Sequence, residues 1–176
     1  GKKLAVEVYF DCDEIELILN GRSVGKAPAG LEAKYRALFD VAYEPGELKA
    51  VARRAGKIVG KVALTTTGAP HALRLTADRS RVRADRNDLV YITVEMCDKA
   101  GRALPNATDA VRFALEGPGE IFAVANADPK TTAPFRGREH RLWRGRALVV
   151  LRPKGPAGEL VLHAITDGMQ PAKVRV

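Results

Sequence analysis

Paired carboxylates, a thiol or hydroxyl beside an imidazole, and clustered metal ligands are the side-chain groupings that do chemistry, and each has candidates in this chain. Asp11, Asp13, Glu14 and Glu16 form the densest acidic cluster. Two facing carboxylates could serve as acid and base. Glu14 and Glu16, however, alternate with Ile15 and Leu17, so on a strand they point to solvent. Calcium wants roughly six to eight oxygens, more than this run supplies alone. A solvated strand face is the reading that remains. His71, His140 and His163 are scattered, one near a break in the pattern, one in a basic loop and one on a strand, with no two at ligand spacing. Ser23, Ser80, Cys12 and Cys97 lie in no motif that would set a His and an orienting acid beside them. Gly25 and Gly30 lack the Lys-Ser/Thr ending and the strand-loop-helix setting of a phosphate loop. The expectation is no catalytic residue, no metal site and no cofactor.

Binding chemistry has better candidates. Arg136, Arg138, Arg141, Arg144 and Arg146 make a basic loop over 136–146 that encloses His140 and Trp143, and Arg79, Arg81 and Arg83 add a basic strand face. The net charge of +8 divides as +2 over 1–67 and +6 over 68–176, so the excess sits in the second part. An anion is a fitting partner for such a segment. Single-stranded nucleic acid would want several stacking rings, and only Trp143 is interleaved, so nucleic acid is not expected and packing is the preferred reading of that ring. Sugars stack their apolar faces on exposed rings. With one Trp, four Tyr and five Phe, the rings free to do so are Tyr9, Tyr91 and Trp143, which stand as the carbohydrate-binding candidates.

The elements that must carry these residues are strands. Leu4, Val6, Val8 and Phe10 alternate with polar neighbours, as do Ile15, Leu17 and Leu19, which reads as a half-buried strand pair. Asn20-Gly21 tolerates the positive φ of a tight hairpin turn, with Val24 on the return strand. Tyr43-Glu44-Pro45-Gly46 is a turn, and Leu48 to Arg53 and Ile58 to Leu64 form a hairpin about Ala55-Gly56-Lys57. After a break at Thr65-Thr66-Thr67-Gly68-Ala69-Pro70, alternation resumes at Leu73 to Ala77 and at Val90 to Met96. Asp98 to Gly101 turns the chain, Val111, Phe113 and Leu115 mark a strand closed by Gly117-Pro118-Gly119, and Leu148 to Leu151 is a continuous apolar run expected in a central strand buried on both faces.

A repeat supports two domains. Leu48, Ala52, Gly56, Lys61 and Val62 match Leu160, Ala164, Gly168, Lys173 and Val174 at identical spacing, with Gly46 and Gly158 two residues before each first Leu. Each copy reads as a strand, a Gly turn and a returning strand, the way an immunoglobulin-like sandwich commonly ends. The expected fold is all-β, two tandem immunoglobulin-like β-sandwich domains, at 1–67 and 68–176. Cys12 and Cys97 then fall in different domains, and no disulfide framework is expected. No apolar run approaches the roughly 18 residues that cross a bilayer, so no membrane partner is expected. The chain starts at Gly1 and enters a strand-like run within three residues, which reads as an excised or processed fragment.

These residues resemble a known family. The run from Cys12 to Gly25, with Phe39-Asp40-Val41-Ala42-Tyr43-Glu44-Pro45-Gly46 and Glu47 to Ala52, looks like the first accessory domain after the catalytic barrel in many bacterial β-galactosidases and related enzymes of glycoside hydrolase family 2. Ala77-Asp78-Arg79, Asp88 to Glu95, Asp98 with Gly101 and Pro105, and Asn126-Ala127-Asp128-Pro129 are similar to the next, invasin-like domain of those enzymes. Ala127 and Ala42 depart from the pattern, standing where the family usually has Gly and often has Pro. The resemblance implies a periplasmic or secreted bacterial parent whose barrel carries two catalytic glutamates outside this chain. It implies a non-catalytic accessory region that packs on the catalytic and other domains, with carbohydrate and subunit contacts in the parent as further partners.

Overall fold

The computed structural model describes residues 2–176. The chain is all-β apart from one turn of 3-10 helix at Leu31–Ala33 and divides into two compact units, Gly1–Thr66 and Thr67–Val176. Each has its own apolar core, so the fold is a pair of tandem immunoglobulin-like β-sandwiches.

The first unit holds β1 (Lys3–Tyr9), β2 (Glu14–Leu19), β3 (Arg22–Pro28), β4 (Arg36–Ala42), β5 (Glu47–Arg54) and β6 (Lys57–Thr65). A four-stranded sheet in the order β3-β2-β5-β6 faces a two-stranded sheet of β1 and β4, all antiparallel. Ile15, Leu17 and Leu19 of β2 meet Ala50 and Ala52 of β5 and Ala37 and Val41 of β4 in the core. Asn20 and Gly21 carry φ of 50° and 80°, both positive as the two-residue turn between β2 and β3 requires. The Asn20 side chain also ties the next turn down, accepting from the Glu47 N–H at 2.9 Å and donating to the Pro45 carbonyl at 3.0 Å.

One expectation for this unit fails. The alternating runs Leu4 to Phe10 and Ile15 to Leu19 do not pair. β1 pairs β4 in the register Lys3↔Ala42 to Tyr9↔Arg36, and β2 pairs β3 and β5. Residues 10–13 form a corner that carries the chain from one sheet to the other, and period-two alternation is blind to which sheet a strand joins.

The second unit holds β7 (Ala72–Ala77), β8 (Val90–Cys97), β9 (Ala110–Glu116), β10 (Gly119–Ala125), β11 (Glu139–Arg141), β12 (Arg146–Pro153), β13 (Val161–Ile165) and β14 (Ala172–Arg175). Its two four-stranded antiparallel sheets run β10-β12-β8-β7 and β11-β9-β13-β14. β12 is central, and Val149, Val150 and Leu151 are all buried, as a strand covered on both faces demands. The closing hairpins of the two units keep the same register. Ala50↔Val62 and Ala52↔Gly60 correspond to Leu162↔Val174 and Ala164↔Ala172, each 112 positions on.

Two assignments of the basic residues are corrected. Residues 136–146 are not a loop: Glu139–Arg141 is β11, paired with β9, and Arg146 opens β12. His140 and Leu142 turn inward to burial, so the chain there has a strand's alternation, hidden in the sequence by five arginines. Conversely Arg79, Arg81 and Arg83 lie in no strand. Among them only Val82 is apolar, too little to hold a strand on a core, and the loop is instead pinned by Asp88, which accepts from the Arg83 N–H at 2.9 Å and bridges Arg79.

Candidate functional site

On β8, Val90, Ile92, Val94 and Met96 enter the core, which turns Tyr91, Thr93, Glu95 and Cys97 to the opposite face of the sheet β10-β12-β8-β7. That face holds an ion-pair cluster around one buried carboxylate. Arg74 of β7, Glu95 of β8 and Arg146 of β12 stand directly opposite one another in the two ladders. Arg74 donates to Glu95 Oε2 from Nε at 3.0 Å and Nη2 at 2.7 Å, and Arg146 donates to Oε1 from Nε at 2.9 Å. Arg74 Nη1 reaches the Gly101 carbonyl at 2.8 Å. Glu95 is only 8% exposed. Burial by itself would raise its pKa, but the two guanidinium partners outweigh that and hold the carboxyl below its ordinary 4.5.

The sign of the linkage follows. The folded state binds the Glu95 proton less tightly than the unfolded chain, so the contribution to stability is complete above the ordinary value and drains away as pH falls below it. Glu95→Gln is expected to cost about 2 kcal/mol at neutral pH, through loss of charge-assisted hydrogen bonds. The gap to the parent sequence should narrow at about pH 3.5, below the ordinary carboxylate value, where part of this contribution is already lost. Urea unfolding at the two pH values checks this, and an unchanged gap would refute the pH assignment.

Beside this triad lies the aromatic site. Trp143 and Arg146 bridge each other across a two-residue turn, with the Trp143 N–H donating to the Arg146 carbonyl at 2.9 Å and the Arg146 N–H to the Trp143 carbonyl at 3.1 Å. The turn residues Arg144 and Gly145 have φ of 49° and 76°. The Arg144 guanidinium lies 4.6 Å from the centroid of the Trp143 ring. An open depression of about 440 Å³ is lined here by Thr93, Asn126, Trp143, Arg144, Arg146 and Leu148, among others.

Of the three candidate rings, Tyr91 and Trp143 belong to the second unit. Tyr91 is exposed on the same sheet face, one cross-strand step beyond Thr93, with Tyr91↔Val150 following Thr93↔Leu148 in the ladder. Trp143 is half-buried at the mouth of the depression. Tyr9 belongs to the first unit, is 65% exposed on β1 and donates from its hydroxyl to Glu7.

The arginines of 136–146 are dispersed over several tasks. Arg141 donates to the Thr108 carbonyl at 3.0 Å, Arg146 serves Glu95, Arg144 covers Trp143, and Arg136 lies 5.3 Å over the Phe122 ring, which Arg152 also covers at 4.2 Å. The acidic cluster is likewise occupied by structure. Asp11 pairs with Arg54, Asp13 accepts from the Ala55 N–H, Glu14 pairs with Lys26, and Glu16 lies 3.6 Å from Arg53. Both cysteines are free and buried. Among the described residues no three His, Cys, Asp or Glu side chains converge in a group that could hold a metal. Sequence reasoning missed the triad because Glu95 occupies the polar phase of β8, where burial leaves no mark, and its partners lie 21 and 51 residues away.

The class defined by this fold is a tandem pair of β-sandwiches, each with a separate core. Residues 73–175 match the family described as Glycoside hydrolase family 2 C-terminal domain 5, and residues 1–60 match Domain of unknown function (DUF4982). The chain belongs to glycoside hydrolase family 2, whose C-terminal domain 5 it carries. It is 34% identical over 177 residues to "Beta-galactosidase BoGH2A" of Bacteroides ovatus, a match that covers 100% of this chain and 21% of that protein. It is 29% identical over 173 residues to a "Putative beta-glucuronidase" of Formosa agariphila, covering 94% and 16%. A solved family 2 member from Bacteroides cellulosilyticus superposes with a TM-score of 0.97 at 36% identity, over 100% of this chain and 23% of that one. The chain thus spans about a fifth of the length of the curated relatives it matches.

Proposed function

We propose that this chain is the non-catalytic accessory region of a family 2 glycoside hydrolase, a β-galactosidase or related β-glycosidase, and that it packs on the catalytic domain and supports its structure. Hydrolysis in this reading is carried by carboxylates outside the chain. The observation that carries it is an uncovered stretch of the first unit's interior. Val62 and Leu64 of β6 stand opposite Ala50 and Leu48 of β5 and so lie on the core-facing side of the sheet. They are nevertheless 59% and 71% exposed, because the two-stranded layer of β1 and β4 is too narrow to reach β6. Val8 and Phe10 on one side and Gly60 and Val62 on the other border an apolar groove of about 140 Å³. A single exposed Leu needs no explanation, but core-phase residues left bare along an edge strand mark a face made to be covered.

The test places Leu64→Glu and Val62→Lys in the full-length glycosidase and in the isolated chain. In the full-length enzyme each is expected to cost about 2 kcal/mol of the stability of the assembled protein, the value of burying one such side chain. Activity should fall with the loss of assembly. In the isolated chain both changes should be nearly silent. Full-length variants that melt and turn over like the unmodified enzyme would remove the docking reading.

A further inference from the structure

The depression at Trp143 belongs to the second unit, whereas the docking face proposed above belongs to the first, and its chemistry is specific. One wall is the indole ring; the others are Ala125, Ala127 and Leu148, with the polar side chains of Thr93 and Asn126 between them. No carboxylate lines it. Glu95, the nearest acid on the sheet face, is shared by Arg74 and Arg146, so that cluster keeps one positive charge in excess. Among the described residues no carboxylate pairs with Arg144, whose guanidinium is held over the indole at 4.6 Å. Arg144 is also a long side chain at φ 49°, a conformation that Asn or Gly adopts at less cost; Asn20 occupies the same position in the β2–β3 turn at φ 50°. That strain, of order 1 kcal/mol or more, is tolerated where it fixes a guanidinium against a ring at the rim of a cavity. The volume of about 440 Å³ lies inside the range of small-molecule sites.

We propose that this depression is a binding site for a sugar that carries a carboxylate, a uronate residue of a glycan. The apolar C–H face of the pyranose packs against the exposed part of the indole and the aliphatic wall. Its carboxylate takes paired N–H donors from Arg144, whose stacking on Trp143 presets the fork and lowers the cost of ordering it. Thr93 meets a ring hydroxyl, while Asn126, held in place by donating to the Arg141 carbonyl at 2.9 Å and accepting from the Asp128 N–H at 3.0 Å, keeps one amide N–H to offer another. A neutral sugar would leave the excess positive charge unanswered. A nucleic acid strand would find a single ring and arginines facing several directions.

Trp143 is the chain's one tryptophan and reports directly on the site. The full 176-residue chain is titrated with glucuronate- and galacturonate-terminated disaccharides, with their neutral gluco and galacto counterparts, and with sodium sulfate, while Trp143 emission is followed. At least one uronate disaccharide should give a saturable shift, with its neutral counterpart at least about tenfold weaker. Arg144→Gln should weaken uronate binding about tenfold or more with an unchanged melting temperature, equivalent to roughly 1.4 kcal/mol. Trp143→Phe, followed by calorimetry, should retain weaker binding. Three results would overturn the proposal: no saturable response to any uronate, equal affinity for neutral and acidic sugars, or a sulfate response that matches the uronate response in size and affinity. Retention of full affinity in Arg144→Gln would overturn the assigned role of that residue and the proposal with it.

Discussion

Replacing Gly145 by Ala is expected to destabilise the second unit by about 3 kcal/mol, a positive-φ penalty of roughly 1–2 kcal/mol plus the displacement of backbone that the new methyl forces. Gly145 has φ 76°, and a Cβ built there would stand 1.9 Å from the Leu104 carbonyl oxygen. Backbone cannot rotate away as a side-chain tip can. The turn is also anchored on both sides, with the Gly145 N–H donating to the Ala107 carbonyl at 2.9 Å and its carbonyl accepting from the Met96 N–H at 3.0 Å. Relief of the clash therefore breaks bonds to β8 and to the 104–107 segment together. Gly101 and Gly168 supply the control, since their φ of 76° and 75° match but nothing lies within 4 Å of an added Cβ. Ala at either should cost only the conformational part, about 1 kcal/mol. Denaturant unfolding followed by Trp143 emission reads the second unit alone, and equal losses at Gly145 and Gly101 would refute the steric account.

Leu162→Ala is expected to cost about 3–4 kcal/mol in the same unit. Leu162 is fully buried at the centre of β13, opposite Leu115 of β9 and Val174 of β14. Strands on both sides hold the backbone in place, so the site cannot collapse onto the vacated volume, and the loss combines the transfer of the side chain with the cavity left behind. Leu64→Ala in the isolated chain is the counterpart on an exposed strand and should change stability by less than about 0.5 kcal/mol. A Leu162 variant as stable as the Leu64 variant would mean that the core has repacked around the gap.

Much of this fold could be read from the residues. Asn20-Gly21 and Ala55-Gly56 announce hairpins because both central positions need positive φ, and the structure places all four there. The alternation along Val90–Cys97 announces which side chains face the core. What escaped was information of longer range. The partners of β1 lie 27 to 39 residues along the chain in β4, after a corner that alternation does not register. β10 was hidden because a bulge between Ile121 and Ala123 interrupts its phase and because Gly119, its first residue, reads as a turn. β11 is three residues long and flanked by arginines. Tyr91 and Trp143 could be named as rings free to bind. That they share a sheet face, and that Arg144 is folded back over Trp143, depends on the pairing of β8 with β12 and on one turn conformation.

The bare margin of the first unit has a consequence for the chain in solution. β1 and β6 each end a sheet, so each presents backbone donors and acceptors to which another polypeptide could add a strand. Lys57 and Lys61 are exposed along β6, and like charges on neighbouring copies oppose that addition. Salt shortens the reach of this repulsion, to about 10 Å at 0.1 M and about 3 Å at 1 M. Concentrated salt therefore removes a safeguard against fibre-like stacking that dilute buffer leaves in place.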